Sequence, residues 1–153
     1  MKKTIKKDLV LAQFKALIAD EPNWIANLSN ASALLNETLD NINWVGFYLW
    51  DDADEELILG PFQGKVACIR IASGNGVCGT SFEQGKTIVV PDVNEFPGHI
   101  FCDAASQSEI VVPLMKDGKA IGVLDVDAPV QSRFGDEEKE LLEGFVDVLM
   151  EKA

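Results

Sequence analysis

The residues best suited to chemistry in this 153-residue chain lie between Pro97 and Asp127. The run Pro97-Gly98-His99-Ile100-Phe101-Cys102-Asp103 places a thiol in a polar loop, a setting in which a reactive cysteine could sit. Ser106-Gln107-Ser108-Glu109 leads into the apolar run Ile110-Val111-Val112, and Gly122-Val123-Leu124 leads into Asp125-Val126-Asp127. Three carboxylates therefore sit on or beside two apolar strands. A buried charge is costly unless it is paired, hydrogen-bonded or protonated. Mutual repulsion raises the pKa of at least one of the three, leaving it protonated near neutral pH and able to serve as a general acid.

Strand parity decides whether these groups can meet. Asp125 and Asp127 are two residues apart and point to one face of their strand, together with Ile121 and Val123, while Leu124 and Val126 take the other. A two-residue Asp117-Gly118 hairpin would send Glu109 to the opposite face. A three-residue turn, Lys116-Asp117-Gly118 with Gly118 left-handed, would set Glu109 opposite Asp125. A site that uses all three carboxylates therefore predicts the three-residue turn. In a chain with 25 acidic residues, a lone carboxylate at a strand end is ordinarily a solvated cap. Three converging beside a thiol form a more specific pattern.

Cys68 lies in an apolar run, where a cysteine is ordinarily an inert buried hydrophobe. Cys78 lies in a glycine-rich turn. A zinc site of Cys68, Cys78, Cys102 and His99 has no Cys-x-x-Cys pair behind it, so no metal is expected. His99 could be a base, although a single loop histidine is ordinarily exposed or hydrogen-bonded. Gly74-Asn75-Gly76-Val77-Cys78-Gly79 lacks both the Lys-Ser/Thr ending of a phosphate loop and the full dinucleotide spacing. It reads as a loop and helix start whose backbone N–H groups could hold a small anion such as a carboxylate. Alternation sends Trp44, Gly46, Tyr48 and Trp50 to one face. These aromatics read first as core, and Trp44 or Tyr48 could also wall an apolar pocket.

Periodicity gives the elements that must position these groups. Residues 7–19 carry Leu9, Val10, Phe14, Leu17 and Ile18 at helical spacing. Pro22 is placed to start a second helix over 24–39, with Ile25, Leu28, Ala31, Leu35 and Leu39 along one face. Strands are expected at 44–50, 57–59 (ended by Gly60-Pro61), 66–71, 87–90, 109–115 and 119–126. A short helix is expected at 77–82, and a long loop at 93–108, a length that is usually functional or disordered. Asp136 reads as the N-cap of a last helix carrying Leu141, Leu142, Phe145, Val148 and Leu149. This order is that of an α+β domain, with an antiparallel sheet of about six strands and the N- and C-terminal helices packed on one face. One domain over 1–153 is expected.

Thirteen Lys and Arg against 25 Asp and Glu leave a net charge of -12, which repels phosphate backbones and anionic membrane surfaces. No apolar run approaches the ~20 residues of a membrane span. The start Met1-Lys2-Lys3-Thr4 is basic like a signal peptide, but Asp8, Gln13, Lys15 and Asp20 leave no clean apolar stretch after it. A cytoplasmic protein is expected, and there three cysteines are poor material for a structural disulfide framework.

Taken together, several runs resemble one family. They are Leu59-Gly60-Pro61-Phe62-Gln63-Gly64, Ala67-Cys68-Ile69-Arg70-Ile71, Gly76-Val77-Cys78-Gly79-Thr80, Pro97-Gly98-His99-Ile100, Cys102-Asp103, Ser108-Glu109-Ile110-Val111-Val112-Pro113 and Gly122-Val123-Leu124-Asp125-Val126-Asp127. The pattern is similar to that of the GAF-domain free methionine-(R)-sulfoxide reductases and covers nearly the whole chain, with one departure: Phe101 stands where a smaller residue would precede the nucleophile. The resemblance implies a single GAF-like domain, Cys102 as nucleophile, Cys68 as resolving thiol and Cys78 as accessory thiol. It implies substrate-binding and acid roles for Glu109, Asp125 and Asp127, and a wall at Trp44 for the sulfoxide's methyl group. It further implies preference for the R epimer, no cofactor, and recycling by thioredoxin through a Cys68–Cys102 disulfide; GAF domains often pair through their helices, and the sequence leaves a homodimer open. The rival is a non-catalytic GAF module that senses a small metabolite. The enzyme is expected over it, because the sequence carries no output domain and no long coiled helix to signal through.

Overall fold

The computed structural model describes residues 6–100 and 102–153; Phe101 and the basic start at Met1 to Thr4 lie outside the described residues. Helix α1 (Lys7–Ile18) buries Val10, Phe14 and Ile18 at intervals of four, while Leu9 and Leu17 turn outward. In α2 (Trp24–Thr38) the cap is Asn23, whose Oδ1 accepts the Ala26 N–H at 2.8 Å. The helix is thus started by an Asx cap and not by Pro22, and the side chain satisfies one of its orphan donors. Leu28, Ala31, Leu34 and Leu35 are buried, and Ile25 is exposed. The last helix, numbered α4 here, spans Asp136–Met150. Its cap is Gly135, whose N–H donates to Glu138 Oε1 at 2.7 Å, so Asp136 is the first helical residue and not the cap.

Six strands form one sheet in which every neighbouring pair is antiparallel: β1 (Trp44–Asp51), β2 (Glu56–Gly64), β3 (Arg70–Ala72), β4 (Ile88–Val90), β5 (Ser108–Lys116) and β6 (Lys119–Ala128), in the order β3-β2-β1-β6-β5-β4. The sheet has two differently clad faces. Val45, Phe47, Ile110, Val112, Leu114, Leu124 and Val126 pack with α1, α2 and α4, where the Phe14 and Phe145 rings stack 3.8 Å apart. Each such side chain contributes about 1.5–3 kcal/mol of burial. The other face carries Trp44, Tyr48, Leu57, Val111 and Val123 under α3 (Gly76–Gln84) and the loops around it. No helix among the described residues is long and apolar enough to cross a membrane.

Three strand expectations are corrected. First, β2 does not stop at Gly60-Pro61. Gly46 pairs with Phe62 and Tyr48 with Leu59, so Gly60 and Pro61 together oppose Phe47 in a bulge that takes the donor-less proline out of the ladder. Second, the strand expected at 66–71 is reduced to Arg70–Ala72, leaving Cys68 in irregular chain. The carbonyls there are taken by side chains instead of a ladder: Trp44 Nε1 donates to Lys65 O at 3.2 Å and Tyr48 Oη to Cys68 O at 2.9 Å.

Third, the β5–β6 connection is a two-residue turn, with Lys116 paired to Lys119 and both Asp117 (φ 53°) and Gly118 (φ 78°) left-handed. That turn alone would put Glu109 on the wrong face. A bulge restores parity: Leu114 pairs with Gly122 but Met115 with Ala120, so Ile121 is an extra residue. Ile121 packs on the helix-side core instead of sharing the face of Asp125. Glu109 then lies opposite Asp127 and Val111 opposite Asp125. The three carboxyls do share one face, through a tight turn and a bulge and not through the predicted three-residue loop.

Candidate active site

Register assembles the floor of the site. Across β1–β6, Trp44 pairs with Asp127, Gly46 with Asp125 and Tyr48 with Val123, so the carboxyls of β5 and β6 and the aromatics of β1 rise from one face. Gly46 is glycine for a packing reason: a Cβ there would collide with Phe62 Cβ. That close approach lays Phe62 on Trp44 with ring centroids 5.2 Å apart, and Trp44 continues to Tyr48 at 5.9 Å.

The roof comes from α3 and the long loop. Trp44, Tyr48, Cys78, Cys102, Glu109, Asp125 and Asp127 all line one small cavity of about 30 Å³, joined by Asn75, Gly76 and Val77 at the start of α3. The first N–H groups of a helix have no partner within it, so this end offers donors to an anion, as the glycine-rich stretch suggested. Cys68 does not line the cavity. It reaches the site through a disulfide to Cys102, with Cα atoms 5.3 Å apart across 34 residues of sequence. Cys78 remains a free, buried thiol.

The electrostatics are those of a crowded acid cluster. Glu109, Asp125 and Asp127 are all pushed well above the ordinary carboxyl range, first by burial and then by one another. Burial, followed by Asp125 and Glu109, also drives the Cys78 thiol up, so it stays protonated. Asp125 Oδ1 and Asp127 Oδ1 are buried with no hydrogen-bond partner among the described residues. Cys78 Sγ and one oxygen each of Glu109 and Asp125 lie within 4.8 Å of one another. Such a set could receive a cation, and an ammonium group would supply the donors that the two orphaned oxygens lack. The Tyr48 hydroxyl is raised by burial and then by Asp125, so it serves only as a neutral phenol.

Two contacts were not foreseen from the sequence. His99, expected to be an ordinary loop histidine, turns its side chain inward, with Nε2 3.3 Å from Glu109 Oε1. Burial lowers the pKa of His99 and raises that of Glu109, so it favours the neutral form of each partner. Asn43 donates from Nδ2 to Asp103 Oδ2 at 3.0 Å and to Ser106 Oγ at 3.1 Å, tying the thiol loop to the entry of β1. The Ala105 N–H, and then Asn43, hold Asp103 below the usual carboxylate range. Nothing in the spacing of Asn43 marks it for this role. Phe101, the one departure from the family pattern, lies outside the described residues.

Comparison with known proteins decides the family. The GAF domain model matches residues 25–151. The Escherichia coli free methionine-R-sulfoxide reductase is 53% identical over 133 residues, covering 87% of this chain and 79% of the relative. Among solved structures, the reduced form of fRMsr of Staphylococcus aureus superposes with a TM-score of 0.95 at 54% identity, covering 99% of this chain and 97% of that one. The chain belongs to the GAF-domain free methionine-(R)-sulfoxide reductase family. A free methionine-R-sulfoxide reductase from Neisseria meningitidis, solved in complex with its substrate, is 44% identical with a TM-score of 0.93, covering 99% of this chain and 92% of that one. The family's α+β architecture is present here as one GAF domain, its six-stranded sheet carrying α1, α2 and α4 on one face and the disulfide-closed acid pocket on the other.

Proposed function

We propose that this protein, as a single GAF domain over 1–153, reduces free L-methionine-(R)-sulfoxide to methionine. The observation that carries this reading is the Cys68–Cys102 disulfide at the edge of a pocket lined by Glu109, Asp125 and Asp127. A sulfoxide sulfur is a poor electrophile until its oxygen is protonated or strongly hydrogen-bonded. A carboxyl whose pKa is raised by burial and neighbours carries that proton near neutral pH, and Glu109, Asp125 and Asp127 all qualify. The orphaned oxygens of Asp125 and Asp127 receive the substrate's ammonium, and the N-terminus of α3 receives its carboxylate. This pairing selects the free amino acid, since a peptide lacks at least one of the two charges. Trp44 and Tyr48 wall the methyl group.

The reaction then runs in three steps. The Cys102 thiolate attacks sulfur, the oxygen passes to Cys102 as a sulfenic acid, and methionine leaves. The Cys68 thiol condenses with the sulfenic acid, releasing water and forming the disulfide. A dithiol of thioredoxin type returns both cysteines to thiols and is itself oxidised, which suits a reducing cytoplasm. Negative charge in the pocket would oppose the Cys102 thiolate; protonated carboxyls and the bound ammonium remove that opposition. Cys78, held as a neutral thiol, assists as a donor and not as a nucleophile.

The test is thiol counting by mass spectrometry on reduced protein before and after addition of the free R-sulfoxide. The expected result is loss of two thiols per chain, mapped to Cys68 and Cys102, with methionine released. Intact thiols and no methionine would return the chain to the ligand-sensing GAF modules.

A further inference from the structure

The Cys68–Cys102 disulfide has two unlike sides. Inward lies the pocket, which Cys102 lines and Cys68 does not. Its volume of about 30 Å³ admits no protein, so a protein reductant does not reach sulfur through it. The remaining approach is from solvent, past the irregular 65–69 loop. Val66 is 88% exposed and Ile69 64% exposed, the two most exposed large apolar side chains among the described residues. Ile100, 36% exposed, stands at the rim, lining the pocket on one side and flanking the other cysteine.

Three hydrogen bonds hold this loop from behind. Lys65 O accepts from Trp44 Nε1, Cys68 O from Tyr48 Oη and Ile69 O from the Leu59 N–H. With its carbonyls fixed, the loop presents Val66 and Ile69 outward on a rigid base. The neighbouring cation, Arg70, is held on Asp54 at 2.8 Å and Glu56 at 2.9 Å. The surface beside the disulfide therefore presents apolar side chains on a pre-ordered loop. Folding gives no reason to expose these side chains, and a preorganised apolar rim is what a transient protein partner uses.

We propose that Val66, Ile69 and Ile100 form the docking surface for a protein dithiol of thioredoxin type, whose thiolate attacks Cys68 Sγ. This rests on the recycling step proposed above. The partner's first sulfur bonds to Cys68 Sγ, the Cys68–Cys102 bond breaks, and its electron pair leaves on Cys102 as a thiolate facing the pocket. The partner's second thiolate then attacks its own mixed-disulfide sulfur and releases Cys68, which takes a proton. The partner loses two electrons and the cysteine pair gains two. Attack at Cys68 regenerates the Cys102 nucleophile in the first exchange, whereas attack at Cys102 would leave the nucleophile held in the mixed disulfide.

The experiment monitors reduction of the disulfide form directly, without sulfoxide, so it stands apart from the proposed substrate. Wild type and the Val66→Asp/Ile69→Asp double variant are reduced with thioredoxin or with dithiothreitol, and the rate of disulfide loss is measured. The expected result is a thioredoxin rate lowered about tenfold, the size of a lost interface hot spot, and an unchanged dithiothreitol rate. An unchanged thioredoxin rate, or a parallel fall with both reductants, overturns the docking surface. A thioredoxin whose second active-site cysteine is replaced by serine should trap an adduct on Cys68; an adduct on Cys102 overturns the choice of sulfur.

Discussion

The two faces of the sheet are made by alternate residues of the same strands, yet they hold opposite kinds of surface. On the helix side, Ile110, Val112, Leu124 and Val126 meet Phe14, Leu28, Leu141 and Phe145. Polar groups buried near that side have partners: Ser32 Oγ donates to Leu28 O at 2.9 Å, and Arg133 Nη2 donates to Asp40 O at 2.8 Å. On the other side, Glu109, Asp125 and Asp127 interrupt the apolar surface, and two of their oxygens lack any hydrogen-bond partner among the described residues. Both faces bury apolar side chains, but only the site face sets a crowded acid cluster among them, which the substrate's ammonium completes under the proposed function. The contrast is a stability–activity division within single strands.

The sharpest break in that contrast is Cys102→Ser. Turnover of the free sulfoxide should fall by more than about 10³-fold, since a hydroxyl is not the nucleophile that a thiolate is. Stability to denaturant should stay within about 0.5 kcal/mol when both proteins are compared with their thiols reduced. Activity retained in this variant would remove the site face from the chemistry altogether.

Next comes Phe145→Ala on the helix face. Losing the ring stacked on Phe14 should cost about 3–5 kcal/mol in urea unfolding. Under conditions where the variant stays folded, kcat/KM should remain within about twofold of wild type. A large loss of activity in the folded variant would show that the two faces are not independent.

Asp125→Asn should act on both properties with opposite signs. Activity should fall about 10²-fold through loss of an acid and an ammonium partner. Stability should rise by about 1 kcal/mol at pH 8, because repulsion within the cluster is relieved. The pH dependence fixes the sign. The Asp125 pKa is higher folded than unfolded, so the folded protein binds more protons in the window above the ordinary value of about 4. Its contribution is fully present below that value and is lost as pH rises through the window. The gain in the variant should therefore grow with pH and vanish near pH 4. Thermal melts across this range check it, and a gain that shrinks with rising pH would contradict the account.

The smallest effect is expected of Cys78→Ser. Its thiol is neutral and outside the disulfide, so Cys68 and Cys102 should still pair on oxidation. A drop in kcat/KM of about fivefold, the size of one hydrogen bond, is expected, with thiol mapping as the control.

Local sequence was enough for much of the frame. Intervals of four placed Val10, Phe14 and Ile18 on the buried stripe of α1, and alternation placed Leu124 and Val126 opposite Asp125 and Asp127. The glycine-rich run at Gly74 to Gly79 was legible as the entry to a helix, since residues with positive φ cluster there. Local signals failed where a side chain or a bulge overrode the strand pattern. Val66 to Ile69 reads as a strand because its side chains are apolar, yet the carbonyls of Lys65, Cys68 and Ile69 are claimed by Trp44, Tyr48 and a single N–H of β2. Asn43 carried no signal and His99 read as an ordinary loop histidine, because their partners, Asp103 and Glu109, are chosen by how the loop folds over the sheet.

Sequence by itself determined which residues are chemically able, since residue type sets charge and nucleophilicity, and it determined which faces most strand residues take, since parity is a property of the chain. Only the tertiary structure decided how the able residues meet. The extra residue at Ile121 reverses the parity set by the Asp117-Gly118 turn and brings Glu109 over to Asp127. The meeting of Cys68 and Cys102 across 34 residues is a long-range closure. Raised carboxyl pKa values, too, exist only once burial has removed water from all three groups together.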